Sequence, residues 1–389
     1  MKKTVSGQLP FQVDNVLLVA CISILIIGFV MVMSASLHLG TKMTGSMNYY
    51  PLRQLVHIGI GLLFAGLTLK VPMPRWEQIN SNLFIGCLIL LVVVFIPGLG
   101  VKVNGSIRWL SIAGVRIQVS EVTKVCAVIY MAGYITRHHK NIQQSALGVC
   151  KPLLLFMVAS IFLLLEPDLG SAVVIFIIAM GMLFLAGARL QQFSILFSLV
   201  MVAVAILVFF FPYRLQRVTS FLNPWADPLK TGFQLTQALI SFGRGEWLGV
   251  GLGSGVQKLF YLPEAHTDFL FSVIAEELGL LGVVTVISLF AILIWRAFFI
   301  AGLAERAGQK FSSYIAYGLG IWFGFQTFVN IGVNMGILPT KGLTLPLMSY
   351  GGGSMIVMCM AVALLFRVYA EAAEVIASTP KGKRQWHSV

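Results

Sequence analysis

Long apolar segments follow one another along most of the chain and are separated by short polar turns. Two of them, 16–33 and 194–212, approach the ~20 residues that a helix needs to cross ~30 Å of hydrocarbon. The pattern predicts about ten membrane-spanning helices. We place them near 15–36, 55–71, 82–97, 119–136, 149–166, 169–187, 191–212, 268–300, 312–337 and 345–370. A tight turn is expected at Glu166-Pro167-Asp168, because proline cannot continue a helix.

The composition agrees with a membrane protein. Hydrophobic residues make up 58% of the 389 residues and charged residues 11%, about half the charged share of a typical soluble domain. The first apolar run is too long for the core of a signal peptide, so no cleavage is expected. We therefore expect an all-α integral membrane protein with a single polytopic domain over 1–389.

The formal net charge is +13. No motif for binding RNA or DNA is present, so the charge indicates anionic lipid surfaces and an anionic substrate, not nucleic acid. Most basic residues near the span ends fall on one side, which the positive-inside rule makes cytoplasmic, together with both termini and a tail at 371–389. These residues are Lys2, Lys3, Lys70, Arg75, Arg137, Lys140, Lys151, Arg189, Arg296, Arg306, Lys310, Arg367, Lys381, Lys383 and Arg384.

Three segments then face outward: 98–118, 213–267 and 338–344. The segment 213–267, between spans 7 and 8, is far longer than an ordinary connection, which indicates a functional loop. It is rich in glycine and aromatic residues, with four glycines between 249 and 255. We expect a structured extracytoplasmic loop that lies against the membrane and contains interfacial or re-entrant helices.

The first polar cluster near the membrane has two interpretations. It contains Arg108, Arg116, Gln118, Ser120, Glu121 and Lys124. Ionisable side chains at membrane depth are costly, which favours a function. Glu121 and Lys124 are three residues apart, so they share a helix face and can pair. The pair is either a structural link between helices or part of a cationic nest for a diphosphate, in which Glu121 orients Lys124.

The second cluster spans Pro263 to Asp268 and precedes a span that contains Glu276 and Glu277. An aspartate at the start of a helix is most often an N-cap. At the outer boundary of the membrane, however, the Asp268 carboxylate is also placed to act as a general base toward a hydroxyl. The helix N-terminus would lower its pKa and burial would raise it, and the sequence leaves both open.

The third cluster comprises Leu-Pro-Thr-Lys-Gly at 338–342 and Met-Ser-Tyr-Gly-Gly-Gly-Ser at 348–354. Three consecutive glycines within a span permit a helix break or a close helix approach, and packing alone would also explain them. The five cysteines show no CxxC spacing and are interpreted as small core residues. The histidines show no metal-ligand spacing.

The ordered set of these motifs resembles the SEDS family (shape, elongation, division and sporulation) over nearly the whole chain. The strongest segment is Leu-Pro-Glu-Ala-His-Thr-Asp-Phe at 262–269, followed by Ala-Glu-Glu-Leu-Gly at 275–279. Further matches lie at 33–36, 53–54, 104–109, 118–124, 167–170, the glycine-rich stretch up to Lys258, and 349–352. Within the family, Glu264-Ala265 and Pro-Thr-Lys-Gly at 339–342 are similar to the cell-division, FtsW-type branch and not to the elongation or sporulation branches.

Three positions depart from the pattern of the family. Val119 stands where the family usually has proline, Glu166 replaces a commoner glutamine, and Gly353 occupies a position usually held by serine. The last difference puts any hydroxyl function at 353 in doubt.

The resemblance implies a peptidoglycan glycosyltransferase that polymerises lipid II into β-1,4 glycan strands. Asp268 matches the family's catalytic aspartate and is expected to be the general base of an inverting reaction. The cationic residues of the first cluster are the expected diphosphate clamp. The full set of candidate substrate-binding residues is Arg108, Arg116, Glu121, Lys124, His266, Lys341 and Ser349.

The resemblance also implies partners and a location. The partners are a class B penicillin-binding protein transpeptidase, divisome regulators and membrane lipids, at the division septum in the bacterial inner membrane. No cofactor is certain; Mg²⁺ or Mn²⁺ is conceivable at the diphosphate, but no carboxylate cluster marks a metal site.

Two other functions fit ten spans. A lipid II flippase needs a polar path to both faces, whereas the distinctive polar motifs gather on the outer side. A scaffold would leave Asp268 beside a glycine-rich loop unexplained. The asymmetry therefore favours an outward-facing enzyme.

Overall fold

The computed structural model describes residues 12–103, 106–112, 115–340 and 342–378. The elements in this part of the chain are as follows. The helices are α1 (Asn15–Thr44), α2 (Tyr49–Lys70), α3 (Met73–Val93), α4 (Val119–Gln144), α5 (Ala146–Leu165), α6 (Leu169–Leu185), α7 (Leu190–Phe209), α8 (Pro212–Leu222), α9 (Phe233–Gly245), α10 (Leu270–Arg306), α11 (Lys310–Asn334) and α12 (Gly352–Ser378). The strands are β1 (Gly100–Val103), β2 (Ser106–Ile112) and β3 (Val115–Gln118).

The helices make this chain a multi-pass membrane protein, as predicted. Within the described residues, seven helices are long and apolar enough to cross a membrane: α1, α2, α3, α5, α7, α10 and α12. The apolar helix α6 is shorter. Helices α4 and α11 match two further predicted spans, but they carry polar side chains that the bundle interior buries. Each of the ten predicted spans therefore corresponds to a helix, and the all-α class is confirmed.

Several helix boundaries differ from the predicted spans, and at two helix starts the local cause is clear. Helix α3 begins at Met73 and not near 82, because Pro74 in its first turn allows a helix to start while the polar residues that follow remain helical. Helix α12 begins at Gly352 and not near 345. The segment before it forms a turn in which Leu347 has a φ of 60°, which is incompatible with a right-handed helix. The three glycines thus lie at the start of α12 and not inside it.

The core of the bundle surrounds α4. Its residues are buried almost without interruption from Val119 to Ile135, and it packs against α3, α5, α6 and α11. Helix α7 has no buried residue and packs on α6 at the edge of the bundle. A helix with apolar residues on every side is stable there because lipid, not protein, covers its surface.

Helix α10 breaks at Gly279, where the backbone has φ 61° and ψ −158°. The end of α9 and the glycine-rich segment approach this break very closely. A Cβ at Gly245 would lie 1.8 Å from the carbonyl oxygen of Ala275, and a Cβ at Gly249 would lie 2.1 Å from that of Glu277. Only glycine permits this approach of backbone to backbone.

Two buried glutamates of α10 anchor the glycine-rich segment that leads to Asp268. Glu276 accepts the backbone N–H of Val256 at 2.9 Å. Glu277 accepts the N–H of Gly253 at 3.0 Å and pairs with Lys258 at 2.5 Å. The loop 213–267 is therefore structured: it contains α8, a 3₁₀ turn at Pro224–Ala226, and α9.

A three-stranded antiparallel sheet, in the order β1-β2-β3, occupies the segment expected to be an outer loop. Trp109 lies opposite Gln118, and Ser111 lies opposite Arg116. Strand β3 continues directly into α4, so the sheet is fixed to the core of the bundle. The sequence analysis did not predict these strands, because they are short and lack a clear alternation of apolar and polar residues.

Candidate functional site

A cavity of about 1870 Å³ opens at the end of the bundle where the sheet meets the beginnings of α6 and α10. We call this end the site end. Five of the predicted site residues line the cavity: Arg108, Arg116, Glu121, His266 and Asp268. Residues that are more than 150 positions apart in the sequence thus share one space.

Asp268 does not cap α10. The residue in the N-cap position is Phe269, and the backbone N–H of Ser272 is instead bound by the side chain of Asn334 at 3.0 Å. The Asp268 carboxylate is left facing the cavity, and a Cβ at Gly342 would lie 3.1 Å from its Oδ2 atom. The alternative of a simple helix cap is therefore not supported by the geometry.

Burial raises the pKa of Asp268 from its ordinary value of 3.8 to about 7. The nearby negative charge of Glu264 raises this pKa further, and the positive charge of Arg217 lowers it. Asp268 precedes α10 and does not cap it. A carboxylate whose pKa lies near neutrality is suited to accept a proton from a hydroxyl at physiological pH.

A polar ladder on α11 holds the backbone around Asp268. Asn330 and Asn334 each donate a hydrogen bond of 3.0 Å to the Asp268 carbonyl oxygen. Asn330 also donates to the Leu343 carbonyl oxygen at 2.6 Å, and Gln326 donates to that of Thr344 at 2.9 Å. The sequence analysis missed these amides, although their spacing of four residues within an apolar span was a visible signal.

His266 is buried beside two tyrosine rings. Its ring lies 5.0 Å from that of Tyr50 and 5.3 Å from that of Tyr350, and its carbonyl oxygen accepts the Tyr350 N–H at 3.0 Å. Burial lowers the pKa of His266, while the charge of Glu264 raises it. His266 is therefore neutral at pH 7 and forms part of an aromatic wall two residues before Asp268.

The sheet brings two arginines to the cavity. Arg108 donates to the carbonyl oxygens of Glu166 at 2.7 Å and of Pro167 at 3.1 Å, which ties β2 to the turn between α5 and α6. Arg116 is exposed to the cavity and takes part in none of the ion pairs found within the described residues. The guanidinium of Arg116 is thus open to an anionic ligand.

The Glu121–Lys124 pair forms as predicted, with 2.6 Å between Nζ and Oε1. Lys124 is fully buried, also donates to the Gln326 side chain at 3.0 Å, and lies over the Trp322 ring. Glu121 lines the cavity, whereas Lys124 lies behind it. A ligand in the cavity would meet Glu121 before Lys124, and the ammonium would act through the pair.

Two other candidates are placed differently. Ser349 is buried, and its hydroxyl accepts the backbone N–H of Leu345 at 2.9 Å, which closes the turn before α12. Lys341 lies outside the described residues. The glycines after Ser349 permit close packing, because a Cβ at Gly353 would lie 2.9 Å from the backbone nitrogen of Gln118.

The Glu166-Pro167-Asp168 turn contains an unusual carboxyl group. Asp168 caps α6 through the N–H of Ser171 at 3.1 Å. Glu166 is buried, and neither of its carboxylate oxygens has a hydrogen-bond partner within the described residues. Burial and the charge of Asp168 raise the pKa of Glu166 to about 8, and Arg108 opposes this shift. Glu166 is therefore mainly protonated at neutral pH, and like glutamine it carries no charge there.

The described residues contain no group of three histidine, cysteine, aspartate or glutamate side chains that could hold a metal ion. The cationic groups of the cavity are arginines, which bind phosphate oxygens directly.

The cavity continues into an apolar groove between α5, α6 and α7. Its lining includes Leu154 and Ile161 of α5, Phe176 of α6, and Leu199 and Val204 of α7. Leu154 and Leu199 are mostly exposed, so the groove opens to the surface that faces lipid. The cavity thus combines the Asp268 carboxylate, two arginines and an apolar wall suited to an aliphatic chain.

Comparisons with known proteins find relatives over nearly the whole chain. The model of a family described as cell cycle proteins (FtsW, RodA and SpoVE) matches residues 15–374. The chain is 64% identical over 373 residues to a probable peptidoglycan glycosyltransferase FtsW of Methylomonas methanica, with 96% of each chain covered. It is 48% identical over 355 residues to that of Legionella pneumophila, with 91% of this chain and 90% of the relative covered.

Two solved structures are similar over most of their length. One belongs to a peptidoglycan synthase complex described as coordinating polymerization and crosslinking, with a TM-score of 0.75, 29% identity, and 92% of this chain and 98% of that chain covered. The other is the crystal structure of the rod shape determining protein RodA of Thermus thermophilus, with a TM-score of 0.68, 26% identity, and 92% and 97% covered.

Proposed function

Because the chain belongs to the FtsW, RodA and SpoVE family of cell cycle proteins, we propose that it is a peptidoglycan glycosyltransferase that polymerises lipid II during septal cell-wall synthesis. The observation that carries this proposal is the single cavity in which Asp268, Arg108 and Arg116 meet an apolar groove. The substrate has the same three parts: a sugar hydroxyl, a diphosphate and a polyprenyl chain.

The reaction joins two lipid-linked saccharides. Asp268 accepts the proton of the 4-hydroxyl of the acceptor's N-acetylglucosamine as this oxygen attacks the anomeric carbon of the donor's N-acetylmuramic acid. The bond between that carbon and the α-linked diphosphate breaks, and the lipid diphosphate leaves as an anion. Attack from the opposite side gives a β-1,4 bond, so the reaction inverts and needs no covalent enzyme intermediate. One base is therefore sufficient.

The leaving diphosphate requires positive charge where its own negative charge develops. Arg116, exposed in the cavity, is the direct contact, and Arg108 joins it from the neighbouring strand. Lys124 contributes through Glu121, which it holds at the cavity wall. The polyprenyl chain of the donor lies in the groove between α5, α6 and α7. This arrangement keeps the lipid in the bilayer while its head group reaches Asp268.

The other candidate residues have supporting positions. Neutral His266 shapes the wall next to the base. Ser349 holds the turn before α12 and acts through it. Lys341 immediately precedes Gly342 in the sequence, and Gly342 lies close to the Asp268 carboxylate, so Lys341 is retained as a substrate-binding candidate.

We place the site end outside the cytoplasm and both termini inside, as the positive-inside rule predicts. The partners are a class B penicillin-binding protein transpeptidase and divisome regulators at the septum of the bacterial inner membrane. The described similarity to a chain of a complex that coordinates polymerization and crosslinking supports the transpeptidase.

Polymerisation of labelled lipid II by the purified protein with its transpeptidase tests the proposal. Wild type should form glycan strands and Asp268→Ala should form none. Asp227→Asn is the matched control, because Asp227 lies in the same loop but outside the cavity lining, and it should retain activity.

The experiment also separates the base assignment from the function. Strands formed by Asp268→Ala at the wild-type rate would refute the base. If neither protein formed strands while both moved lipid II across proteoliposome membranes, the glycosyltransferase would be rejected in favour of a flippase.

A further inference from the structure

Two contacts between α1 and α10 lie one membrane thickness apart. Asp14, which caps the start of α1, pairs with Arg296 of α10. Ser34 of α1 donates to Glu277 of α10 at 2.8 Å, and Lys258 donates to the Ser34 hydroxyl at 2.7 Å. About 20 residues separate the two contacts on either helix, which corresponds to ~30 Å of helix and to the ~30 Å thickness of the hydrocarbon.

The stretch between these contacts is suited to lipid. Neither helix carries a charged side chain there, and large apolar side chains of α10, such as Leu281 and Val284, are exposed. Charged groups avoid the hydrocarbon, whereas apolar groups favour it. The edge of the hydrocarbon at the site end therefore lies near Ser34 and Glu277, and the opposite edge lies near Asp14 and Arg296.

The break of α10 at Gly279 lies at the edge near the site end. The N–H groups that follow a break have no acceptor within the helix, and hydrocarbon offers no water to replace one. The carbonyl oxygens of Glu246 and Trp247 accept these groups from Leu280 at 2.9 Å and from Leu281 at 3.2 Å. The loop 213–267 therefore satisfies the polar groups that the break exposes.

The same part of the loop also binds the helix before the break. The N–H of Val250 donates to the Glu276 carbonyl oxygen at 3.0 Å, and that of Gly251 donates to the Glu277 carbonyl oxygen at 3.1 Å. Residues 246–251 thus hold both parts of α10, and we call them the edge turn. Because its hydrogen bonds lie on both sides of the break, the edge turn fixes the two parts of the helix relative to each other.

Two side chains of the edge turn are large, apolar and exposed. Trp247 is 74% exposed and Leu248 is 77% exposed, beside the lipid-facing Leu281. Tryptophan prefers the boundary between hydrocarbon and water, and Trp295, next to Arg296, is likewise exposed at the opposite edge. Exposed irregular backbone does not enter hydrocarbon, so the backbone of the edge turn stays at the boundary while these two side chains reach the acyl chains.

The edge turn also determines where Asp268 lies relative to the membrane. The part of α10 before the break begins at Leu270, directly after Asp268 and Phe269. Asp268 therefore lies about 12 Å along this part from Glu277, beyond the edge of the hydrocarbon. Since the edge turn holds this part of α10 against the membrane-spanning part, a shift of the edge turn would move Asp268 with it.

We propose that the edge turn inserts Trp247 and Leu248 into the leaflet at the site end and thereby sets the height of Asp268 above the hydrocarbon. The occupant of this apolar surface is lipid. The consequence for catalysis rests on the proposed function: a substrate whose polyprenyl chain stays in the leaflet presents its sugars at a limited range of heights, which the base must match. Trp247 and Leu248 are thus positioning residues.

Fluorescence quenching by lipid tests the contact. The protein is placed in phosphatidylcholine nanodiscs whose lipid is brominated either near the top or near the end of the acyl chain. The emission of Trp247 is the difference between wild type and Trp247→Phe. It should be quenched strongly by bromine near the top of the chain and weakly by bromine near its end. Trp295→Phe gives the matching exposed control, and Trp322→Phe gives the control for a fully buried ring, which should not be quenched.

The same measurement with the transpeptidase present separates lipid from a protein partner. Quenching of Trp247 should persist in the complex. If the transpeptidase abolished it, the surface would belong to the partner and the proposal would be wrong. Emission of Trp247 that acrylamide in the water quenches but brominated lipid does not would overturn it as well.

Strand synthesis in two environments tests the positioning role. Trp247→Ser/Leu248→Ser should lower kcat several-fold in nanodiscs, where the bilayer fixes the height of the substrate. In detergent micelles, which adapt their shape to the protein, the same variant should retain its activity, and this also shows that it is folded. Trp247→Tyr/Leu248→Met keeps an interfacial ring and an apolar chain and should restore activity in nanodiscs.

Equal activity of the serine variant and wild type in nanodiscs would reject the positioning role and leave the glycosyltransferase intact. An equal loss in both environments would assign the two residues to folding and would also reject it. If wild type formed no strands in either environment, the proposed function would fail, whereas the quenching of Trp247 would still decide whether the edge turn contacts lipid.

Discussion

The raised pKa of Asp268 should make the wild-type protein less stable than its Asp268→Asn variant at neutral pH. In the folded protein the carboxyl group ionises near pH 7, and in the unfolded chain near its ordinary 3.8. The contribution of Asp268 to stability is therefore fully present below pH 3.8 and is lost as the pH rises to 7. Asparagine has nearly the same shape but does not titrate.

The size of the effect follows from the two pKa values. Each pH unit between them changes the free energy of unfolding by about 1.36 kcal/mol. Relative to wild type, Asp268→Asn should gain about 2.3 kcal/mol between pH 5 and pH 7, because the folded-state carboxyl is already half ionised at pH 7. Above about pH 8 the difference should level off, because the Asp268 carboxyl is then ionised in both the folded and the unfolded wild-type protein.

Equilibrium unfolding by SDS in mixed micelles, at half-unit steps from pH 5 to pH 8, measures this difference. Glu374→Gln, which changes an exposed carboxylate at the other end of the bundle, provides the baseline for the loss of a carboxylate. Strand synthesis should be absent in Asp268→Asn at every pH. A stability difference that stays flat or shrinks with rising pH would refute the argument that burial sets the pKa of this base.

Three further predictions concern the surroundings of the cavity. Lys124→Met should lower the free energy of unfolding by about 3–5 kcal/mol, because Glu121 remains buried without its partner. Adding Glu121→Gln should restore part of the lost stability. If the double variant lost as much stability as the two single variants together in the same SDS titration, this explanation would be wrong. Glu166→Gln should stabilise the protein, with a gain that grows by about 3.5 kcal/mol from pH 5 to pH 8. A gain independent of pH would exclude the raised pKa as its cause. Gly245→Ala should lower the thermal midpoint strongly, because its Cβ would meet a backbone carbonyl oxygen of α10. Nothing lies within 4 Å of a Cβ at Gly243, so the control Gly243→Ala should be tolerated. Equal effects of the two changes in a thermal unfolding scan would show that this close contact does not determine stability.

The polar residues of the cavity show how far motif and spacing can lead. The helical spacing of Glu121 and Lys124 predicted their pairing, and the structure contains that pair. Spacing could not show which of the two faces the cavity, because the answer depends on Gln326 and Trp322 from another helix. A contact between Lys124 and the diphosphate therefore remains a prediction. Because the ammonium is buried behind Glu121, we expect it to act on the ligand through Glu121.

Asp268 illustrates the same limit for chemistry. Its neighbours in the sequence left a helix cap and a general base as alternatives. Asn334, 66 residues away, accepts the amide hydrogen that a cap would have taken and so leaves the carboxylate free. The amides of α11 were overlooked, since a polar residue within an apolar span does not reveal its partner.

The sequence by itself determined the spans, the class of fold and the motif around Asp268. A chain in hydrocarbon must satisfy its backbone polar groups within each segment, so an apolar run of sufficient length specifies a helix without reference to the rest of the protein. The tertiary structure alone decided that residues of the sheet at 100–118 and of α2, α5, α6 and α7 line one cavity with Asp268, and that burial governs the pKa of Asp268. Those properties depend on contacts between distant segments, and their energies arise only when packing removes the groups from water.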